Sequence, residues 1–289
     1  MNFQWYPGHM TKAKRQMEED IKLIDLVIEL LDARIPQSSR NPDIDTLARG
    51  KARLVLLNKC DLADETQTKA WAEYFESREC SVCMVSCKNN GDMKKLEPII
   101  KKATAEKAER DRRRGIKNRP VRAMVVGIPN VGKSTFINAY ARKAATKTGN
   151  KPGVTKGKQW IRLSQSLELL DTPGILWPKF DDQSVGLKLA LIGSIRDEIM
   201  NTEELAMSLA ALLDERYPGT INRYYGLDGV EAEKSCEGTE AEVLSKIARV
   251  KGCVKQGGEQ DLLKAANLLL ENFRNGKIGR FSLENPEEN

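Results

Sequence analysis

The sequence has no long hydrophobic run, one histidine and only 6% aromatic residues. No window approaches the ~20 consecutive apolar residues of a membrane-spanning helix. The first ten residues lack the basic and then apolar pattern of a secretory signal peptide. We therefore expect a soluble protein of the cytoplasm that does not bind membranes. With 289 residues, the chain is long enough for two domains.

Metal-binding patterns are also scarce. The chain has six cysteines, and the pair Cys80 and Cys83 could supply half of a zinc site, but no second such pair and no histidine cluster completes it. Disulfide frameworks are typical of secreted proteins, so we expect the six cysteines to be reduced. We interpret them as small buried hydrophobic residues.

Charge is unevenly distributed along the chain. Residues 1–179 contain 34 Lys+Arg and 21 Asp+Glu, a formal charge of +13, whereas residues 180–289 contain 13 and 20, a charge of −7. We therefore expect one domain at 1–179 and another at 180–289. Within the first, residues 94–119 carry eleven basic and four acidic side chains. Such a density favours a polyanion, although a solvated helix face would explain this run equally well on its own.

A phosphate-binding motif lies in the middle of the chain. Residues 127–134 fit the pattern G-x-x-x-x-G-K-[ST], after an apolar strand and before a predicted helix at 136–145. In this motif glycines let backbone N–H groups surround the phosphates, Lys133 reaches the β- and γ-phosphates, and Ser134 ligates Mg²⁺. The predicted nucleotide-binding residues here are Asn130, Val131, Gly132, Lys133, Ser134 and Thr135.

Two further motifs indicate that the base is guanine. The segment N-K-C-D at 58–61 follows an apolar strand at 54–57 and resembles the N-K-x-D motif of GTPases. Its carboxylate, Asp61, can accept hydrogen bonds from guanine N1–H and the 2-amino group, donors that adenine does not present in that arrangement. The segment S-C-K at 86–88 resembles the S-A-K turn, which offers a backbone N–H to guanine O6. The predicted residues for GTP or GDP are Asn58, Lys59, Asp61, Ser86, Cys87 and Lys88.

A fourth motif is predicted to contact the γ-phosphate. The segment D-T-P-G at 171–174 ends an apolar strand at 167–170 and resembles the D-x-x-G element, whose aspartate holds a Mg²⁺-bound water and whose glycine N–H meets the γ-phosphate. These residues are Asp171 and Gly174. Upstream, Thr155 resembles the switch threonine that closes over Mg²⁺ and the γ-phosphate. The predicted Mg²⁺ site is therefore Ser134, Thr155 and Asp171.

The order of these motifs is unusual. In the familiar GTPase domain the phosphate-binding motifs come first, whereas here the guanine-binding motifs precede them. This order predicts a circular permutation, which is feasible because domain termini often lie close together. The apolar strand at 26–32 would then follow switch II, and a helix predicted at 11–24 would be the switch II helix. We expect an α/β fold, a permuted P-loop GTPase domain with a mostly parallel sheet flanked by helices.

The permutation also places His9 just before the switch II helix, near the predicted γ-phosphate. The residue after D-x-x-G, often a glutamine that orients water, is Ile175, whose side chain cannot hydrogen-bond a water. An imidazole can orient or deprotonate a nucleophile near neutral pH, so His9 is a catalytic candidate. The alternatives for His9 are an ordinary surface residue or a ligand for RNA phosphate.

The region 180–289 is predicted to be an all-α domain. Helices are expected at 202–216, 240–250 and 259–274, because apolar residues recur there at helical spacing. Asn201 with Glu204, and Thr239 with Glu242, are typical of helix N-termini, and Gly276 could end the last helix.

Taken together, the motifs resemble the circularly permuted GTPases of ribosome assembly, the YlqF type, over nearly the whole chain. The resemblance implies GTP hydrolysis coupled to a late maturation step of the large (50S) ribosomal subunit, slow alone and stimulated by the particle. It implies a catalytic role for His9 beside Lys133 and a K⁺ ion held near Asn130. The implied partner is the large-subunit precursor, both rRNA and ribosomal proteins, bound by a monomer. The family places rRNA contacts in the C-terminal domain, but its negative charge leads us to expect that 1–179 shares them.

Two other functions fit parts of the same sequence. Ile175 and the basic run at 94–119 fit an RNA-binding assembly scaffold that uses nucleotide for structure and turns it over incidentally. An ATP-using enzyme of small metabolites would require the N-K-C-D segment to be coincidental. Stimulation of GTPase activity by large-subunit particles separates the first alternative from a switch, and nucleotide competition separates the second.

Overall fold

The computed structural model describes Arg15 and residues 17–116, 119–148, 160–170, 182–195, 201–232 and 239–288. The chain divides into two compact units. The first, called the sheet unit below, comprises Met1–Gln183 together with Glu284–Asn289. The second, called the helical unit, comprises Ser184–Leu283. The segment after residue 283, expected in the second domain, thus groups with the sheet unit.

The sheet unit is built on a six-stranded sheet of order β3-β2-β1-β4-β6-β5. Every neighbouring pair is parallel except β5 with β6. This mostly parallel α/β arrangement confirms the predicted fold class, while the short edge strand β5 was not predicted. The strands are β1 (Leu26–Asp32), β2 (Ala52–Asn58), β3 (Ser81–Val85), β4 (Val121–Val126), β5 (Trp160–Arg162) and β6 (Leu167–Leu170).

The central strand β1 explains where the site forms. All seven of its residues are buried, as expected for a parallel strand covered on both faces. From β1 the chain proceeds outward to β2 and β3, and then returns to β4 on the other side of β1. A reversal of this kind leaves a crevice outside the carboxyl ends of the strands, where ligands bind in open α/β sheets. The motifs at 58–61, 86–88 and 127–134 each follow a strand end at this edge.

The helices of the sheet unit flank this sheet. Among the described residues, and apart from the helical residues 17–20, they are α1 (Ile44–Leu47), α2 (Glu65–Glu76), α3 (Asn90–Ala103), α4 (Ala105–Arg113) and α5 (Lys133–Thr148). The basic run at 94–119 was expected to be one helix-like stretch, but its residues 94–113 lie on two helices, α3 and α4, that meet at Thr104. The Thr104 hydroxyl donates to the Ile100 carbonyl four residues back (2.7 Å), a contact that bends helices.

The helix predicted at 11–24 is described only in part. Residues 17–20 are helical and continue into a 3₁₀ turn at Ile21–Leu23. Met17, Ile21 and Ile24 are buried in one cluster with Val27 of β1 and Met124 of β4. The apolar spacing predicted for this segment therefore does face the core, at the residues that the structure describes.

The helical unit contains α6 (Gln183–Leu191), whose first residue lies in the sheet unit, α7 (Thr202–Arg216), α8 (Thr220–Tyr225), α9 (Thr239–Lys251) and α10 (Leu262–Arg274). Helix α7 has its predicted bounds, and Asn201 Oδ1 accepts from the backbone of Glu203 and Glu204. Helix α10 begins at Leu262 rather than at residue 259, because Asp261 caps it by accepting from the Lys264 N–H. Gly276, at φ 70°, ends α10 as predicted.

The segment after Leu283 belongs to the sheet unit, and its residue Glu284 is buried there at 2% exposure. Its carboxylate accepts from the backbone N–H groups of Gln37 (2.8 Å) and Ser38 (3.2 Å) and from the Ser38 hydroxyl. Trp71 on α2 donates its indole N–H to the Glu284 carbonyl (3.3 Å). The loop after β1 therefore holds the C-terminal segment.

The cysteines among the described residues are free thiols: Cys60 is half-buried, and Cys80, Cys83, Cys87 and Cys253 are buried. Across the described ranges, no group of three or more His, Cys, Asp and Glu side chains could hold a metal ion. Within the same ranges, no helix has the length and apolar character needed to cross a membrane.

Candidate nucleotide-binding site

The phosphate-binding loop connects the end of β4 to the start of α5. A Cβ on Gly127 would lie 2.6 Å from the Leu30 carbonyl of β1, so only glycine lets the loop pass this strand. Gly132 has φ +107°, and a Cβ there would lie 2.5 Å from the Asn58 side chain. Lys133, the first residue of α5, donates its Nζ to the Gly127 (2.9 Å) and Ile128 (2.7 Å) carbonyls. The ammonium group thus lies over the loop that would surround the phosphates.

Asn58, the last residue of β2, fastens three loops together. It is 2% exposed, and its Nδ2 donates to the Val131 carbonyl in the phosphate-binding loop (2.7 Å). Its Oδ1 accepts from the Cys87 N–H in the S-C-K turn (3.0 Å). Segments 29 and 73 residues apart from Asn58 therefore meet at one amide side chain. The motifs proposed to bind base and phosphate are adjacent in the fold.

Lys59 adds a second bridge between the same segments. Its backbone has φ 60°, an uncommon conformation for a residue with a side chain. Its Nζ donates to the Asn130 carbonyl (3.0 Å) and forms an ion pair with Asp32 Oδ2 (2.9 Å). Asn130 is itself at φ 58° at the exposed tip of the phosphate-binding loop. The N-K-x-D lysine thus holds the loop from the side of β1.

The S-C-K turn follows β3 and is held by its neighbours. The Ser86 N–H donates to Asp92 Oδ2 (3.0 Å), and Ser86 is buried. Although burial opposes ionisation of Asp92, its hydrogen bonds with Lys95 and with the Ser86 N–H lower its pKa, so the acceptor stays charged. Burial, with the nearby Cys60 and Asp61, raises the pKa of the Cys87 thiol to about 12, so this side chain is a neutral, inert group at physiological pH.

The remaining predicted residues fall into two groups. Asp61, Lys88, Ser134 and Thr135 are exposed, at the carboxyl edge or in the first turn of α5, where a ligand could reach them. The others lie outside the described residues: His9, Thr155, Asp171 and Gly174.

The sequence analysis did not single out Asp32 and Arg34, two buried charged residues beside the predicted site. Asp32 ends β1, is fully buried, and accepts from Arg34 Nε (2.9 Å) and Nη2 (2.8 Å) as well as pairing with Lys59. Burial alone would raise the pKa of Asp32, but the two cations hold it far below the usual range. A charged residue at the end of a fully buried strand was the available signal, because such positions open onto the ligand edge of a parallel sheet.

The arrangement suits binding of a phosphate chain. The glycines allow the close turn of the phosphate-binding loop. The Lys133 ammonium and the N-terminus of α5 both contribute positive potential at this loop. The guanine-type motifs are joined to that loop through Asn58 and Lys59.

Comparison with known proteins agrees with this geometry. A family model described as "50S ribosome-binding GTPase" matches residues 122–219. Ribosome biogenesis GTPase A of Priestia megaterium is 45% identical over 289 residues, covering 100% of this chain and 98% of the relative. The protein of that name from Bacillus cereus is 44% identical over 288 residues, covering 100% of this chain and 95% of the relative. The crystal structure of GNP-bound YlqF from T. maritima has 30% identity and a TM-score of 0.66, covering 96% of this chain and 99% of that chain.

These full-length relatives also confirm the resemblance drawn from the motifs. The chain therefore belongs to the ribosome biogenesis GTPase A family, whose members are P-loop enzymes that bind and hydrolyse GTP and act in ribosome biogenesis.

Proposed function

We propose that the protein binds the precursor of the large (50S) ribosomal subunit in the cytoplasm, as a monomer, and couples GTP hydrolysis to a late maturation step. The description of the matching family model, a 50S ribosome-binding GTPase, supports the choice of subunit. Stimulation of a slow intrinsic GTPase by the particle is part of the same proposal.

The surface of α3 and α4 supports an RNA partner. Helix α4 exposes its arginines, with Arg112 and Arg113 at 80% and 77% side-chain exposure, and both pair with Glu109 on the same helix. The α4 residue Lys107 is buried and pairs with Asp111 on the same helix (2.8 Å) and with Asp25 (3.6 Å), and the contact with Asp25 anchors the helix by charge. Exposed cations on an anchored helix suit the phosphates of rRNA, so we assign part of the RNA contact to 1–179 and part to the C-terminal domain at 180–289.

We assign the chemistry to residues of the permuted motifs. Asp61 and the 86–88 turn would bind guanine, and Lys133 the β- and γ-phosphates. Ser134, exposed beside Lys133 at the start of α5, would hold Mg²⁺ together with Thr155 and Asp171. Asn130 would hold K⁺, and Gly174 would meet the γ-phosphate. When bound, these cations would supply positive charge near the phosphates.

His9 has the remaining task in this assignment, which is to orient the attacking water that Ile175 cannot hydrogen-bond. The His9→Ala variant should lose particle-stimulated turnover while keeping its affinity for GTP. Exchange of K⁺ for Na⁺ should slow turnover through Asn130. Equal stimulated rates for His9→Ala and wild type would instead assign His9 to the surface or to RNA.

Co-sedimentation with immature large-subunit particles tests the proposal as a whole. The wild type should sediment with the particles more strongly in a non-hydrolysable GTP analogue than in GDP. Lys133→Ala should lose this nucleotide dependence, whereas the matched control Lys69→Ala, an exposed lysine on α2, should keep it. Binding that ignores nucleotide, with no GTPase stimulation by particles, would favour the assembly scaffold over the switch.

A further inference from the structure

A buried carboxylate lies directly behind the nucleotide site. Asp32 is 0% exposed and stands opposite Asn58 in the β1–β2 register. Its backbone N–H donates to Ser39 Oγ (3.0 Å), and one of its carboxylate oxygens accepts from the Arg34 N–H (3.1 Å). These contacts fix the side chain in one orientation.

Arg34 contacts both oxygens of the Asp32 carboxylate, and Lys59 shares one of them. Oδ1 accepts from Arg34 Nε, and Oδ2 from both Arg34 Nη2 (2.8 Å) and Lys59 Nζ (2.9 Å). Arg34 is as buried as Asp32, at 1% exposure, whereas Lys59 is 23% exposed and reaches outward to the phosphate-binding loop. Arg34 can therefore neutralise Asp32 without Lys59, and the Lys59 contact serves a separate purpose.

That purpose follows from the chemistry of lysine. An ammonium on a flexible four-carbon stem has many rotamers, and holding one of them costs conformational entropy of up to about 2 kcal/mol. In this chain the Lys59 Nζ is held between two fixed oxygens, one of Asp32 and the other the Asn130 carbonyl. A fixed Lys59 keeps the tip of the phosphate-binding loop in place before a nucleotide arrives.

We propose that Asp32 is a positioning residue for guanine nucleotide, which sets the lifetime of the bound nucleotide by holding Lys59 against the phosphate-binding loop. It acts through Lys59 and does not touch the nucleotide itself. The inference rests on the assignment of Lys59 to the nucleotide site, a residue predicted from the N-K-x-D motif.

Stopped-flow dissociation of fluorescent GDP from the full-length protein tests the inference with Asp32→Asn, Lys59→Met and the double variant. Asp32→Asn should release GDP about tenfold faster, the size of one lost charge-assisted hydrogen bond. The double variant should release GDP no faster than Lys59→Met alone, because both changes remove the same bridge. Independent, multiplicative effects of the two substitutions would overturn the inference. No effect of Lys59→Met would overturn the site assignment instead.

Arg34→Met separates positioning from loop stability. It removes the other cation from Asp32 but leaves the Lys59 bridge, so the midpoint of thermal unfolding without nucleotide should fall while GDP release stays within about twofold of wild type. Equal acceleration of release in Arg34→Met and Asp32→Asn would mean that Asp32 acts through the loop fold, which would overturn the inference. Asp32→Asn should also raise KM for GTP and leave kcat unchanged, since uniform binding is lost.

Discussion

The sheet unit and the helical unit differ in the polar groups that they bury. Among the described residues, every buried charged side chain lies in the sheet unit: Asp20, Glu29, Asp32, Arg34, Asp92, Lys107 and Glu284. The buried polar side chains of the helical unit, over its described ranges, are all neutral: Ser194, Ser245, Asn272 and Ser282. Asn272 Nδ2 donates a hydrogen bond to Tyr225 Oη (2.8 Å), and Ser245 Oγ donates one to Gln260 Oε1 (2.8 Å).

The difference follows from what each unit must position. A parallel sheet binds its ligand with loops at the strand ends, and these loops have little apolar surface of their own. Buried charges such as Glu29, which pairs with Arg40 and Arg53, hold segments from several parts of the chain in one geometry. Helices need only fill a core and end correctly. The stability of the sheet unit should therefore depend on individual ionic partners, and that of the helical unit on apolar volume.

The largest effect should come from the apolar core of the helical unit. Leu269 on α10 is 0% exposed, so Leu269→Ala should lower the free energy of unfolding of this unit by about 2–5 kcal/mol. Hydrogen exchange read residue by residue should place the lost protection in 184–283. Leu263→Ala on the same helix, at 48% exposure, is the matched control and should change little. Comparable losses from both would contradict the assignment of the buried face.

Loss of one buried carboxylate should come next, and in the sheet unit. Glu284→Ala leaves the Ser38 hydroxyl and two backbone N–H groups without their acceptor, which should cost about 2–3 kcal/mol. Hydrogen exchange of residues 33–40 and of the Trp71 indole should accelerate, with protection of α10 unchanged. Glu287→Ala, an exposed acid three residues on, should be neutral. If hydrogen-exchange protection were lost only in α10, Glu284 would stabilise the helical unit, which would contradict this comparison.

The two units should also respond differently to acid. The pKa of Asp32 is lowered in the folded state from an ordinary value of 3.8, because Arg34 and Lys59 outweigh the cost of burial. Its ionised form therefore stabilises the fold above about pH 4, and this contribution is lost as the pH falls towards the folded-state pKa. The free energy of unfolding of the wild type should exceed that of Asp32→Asn by about 1–2 kcal/mol at pH 7. This difference in free energy should narrow progressively below pH 4. A gap independent of pH would show that charge is not what Asp32 contributes.

The same contrast explains how much the sequence could predict. Helix α7 has its predicted bounds because its start is determined locally, by Asn201 and the residues just after it. The start of α10 was predicted three residues early, since Asp261 is an equally local cap that the apolar spacing alone did not reveal. Strand β5 was missed because three residues at an edge carry too little alternation to predict a strand.

In the site, the motifs predicted which segments meet but not what holds them. The joining of Asn58 to Val131 follows from two motifs for one ligand. The contact of Glu284 with Ser38, 246 residues apart, has no such motif, and neither periodicity nor spacing reports a single buried side chain. Asp32 was visible as the end of a strand, yet the role proposed for it depends on Lys59, which directly follows the neighbouring strand β2. Long-range ionic contacts are set by topology, which becomes known only when the sheet order is known.

The smallest effect should be at a helix cap of the helical unit, where a polar contact is neutral, local and exposed. Asn201 Oδ1 accepts from the Glu203 N–H (3.1 Å) and the Glu204 N–H (3.3 Å), so Asn201→Ala should cost about 1 kcal/mol, seen as faster hydrogen exchange in the first turn of α7. Asn201→Asp keeps the acceptor and should retain wild-type protection. If Asn201→Ala cost as much as Glu284→Ala, local caps would matter as much as long-range buried charge. The distinction between the two units would then lie in the number of polar contacts and not in their kind.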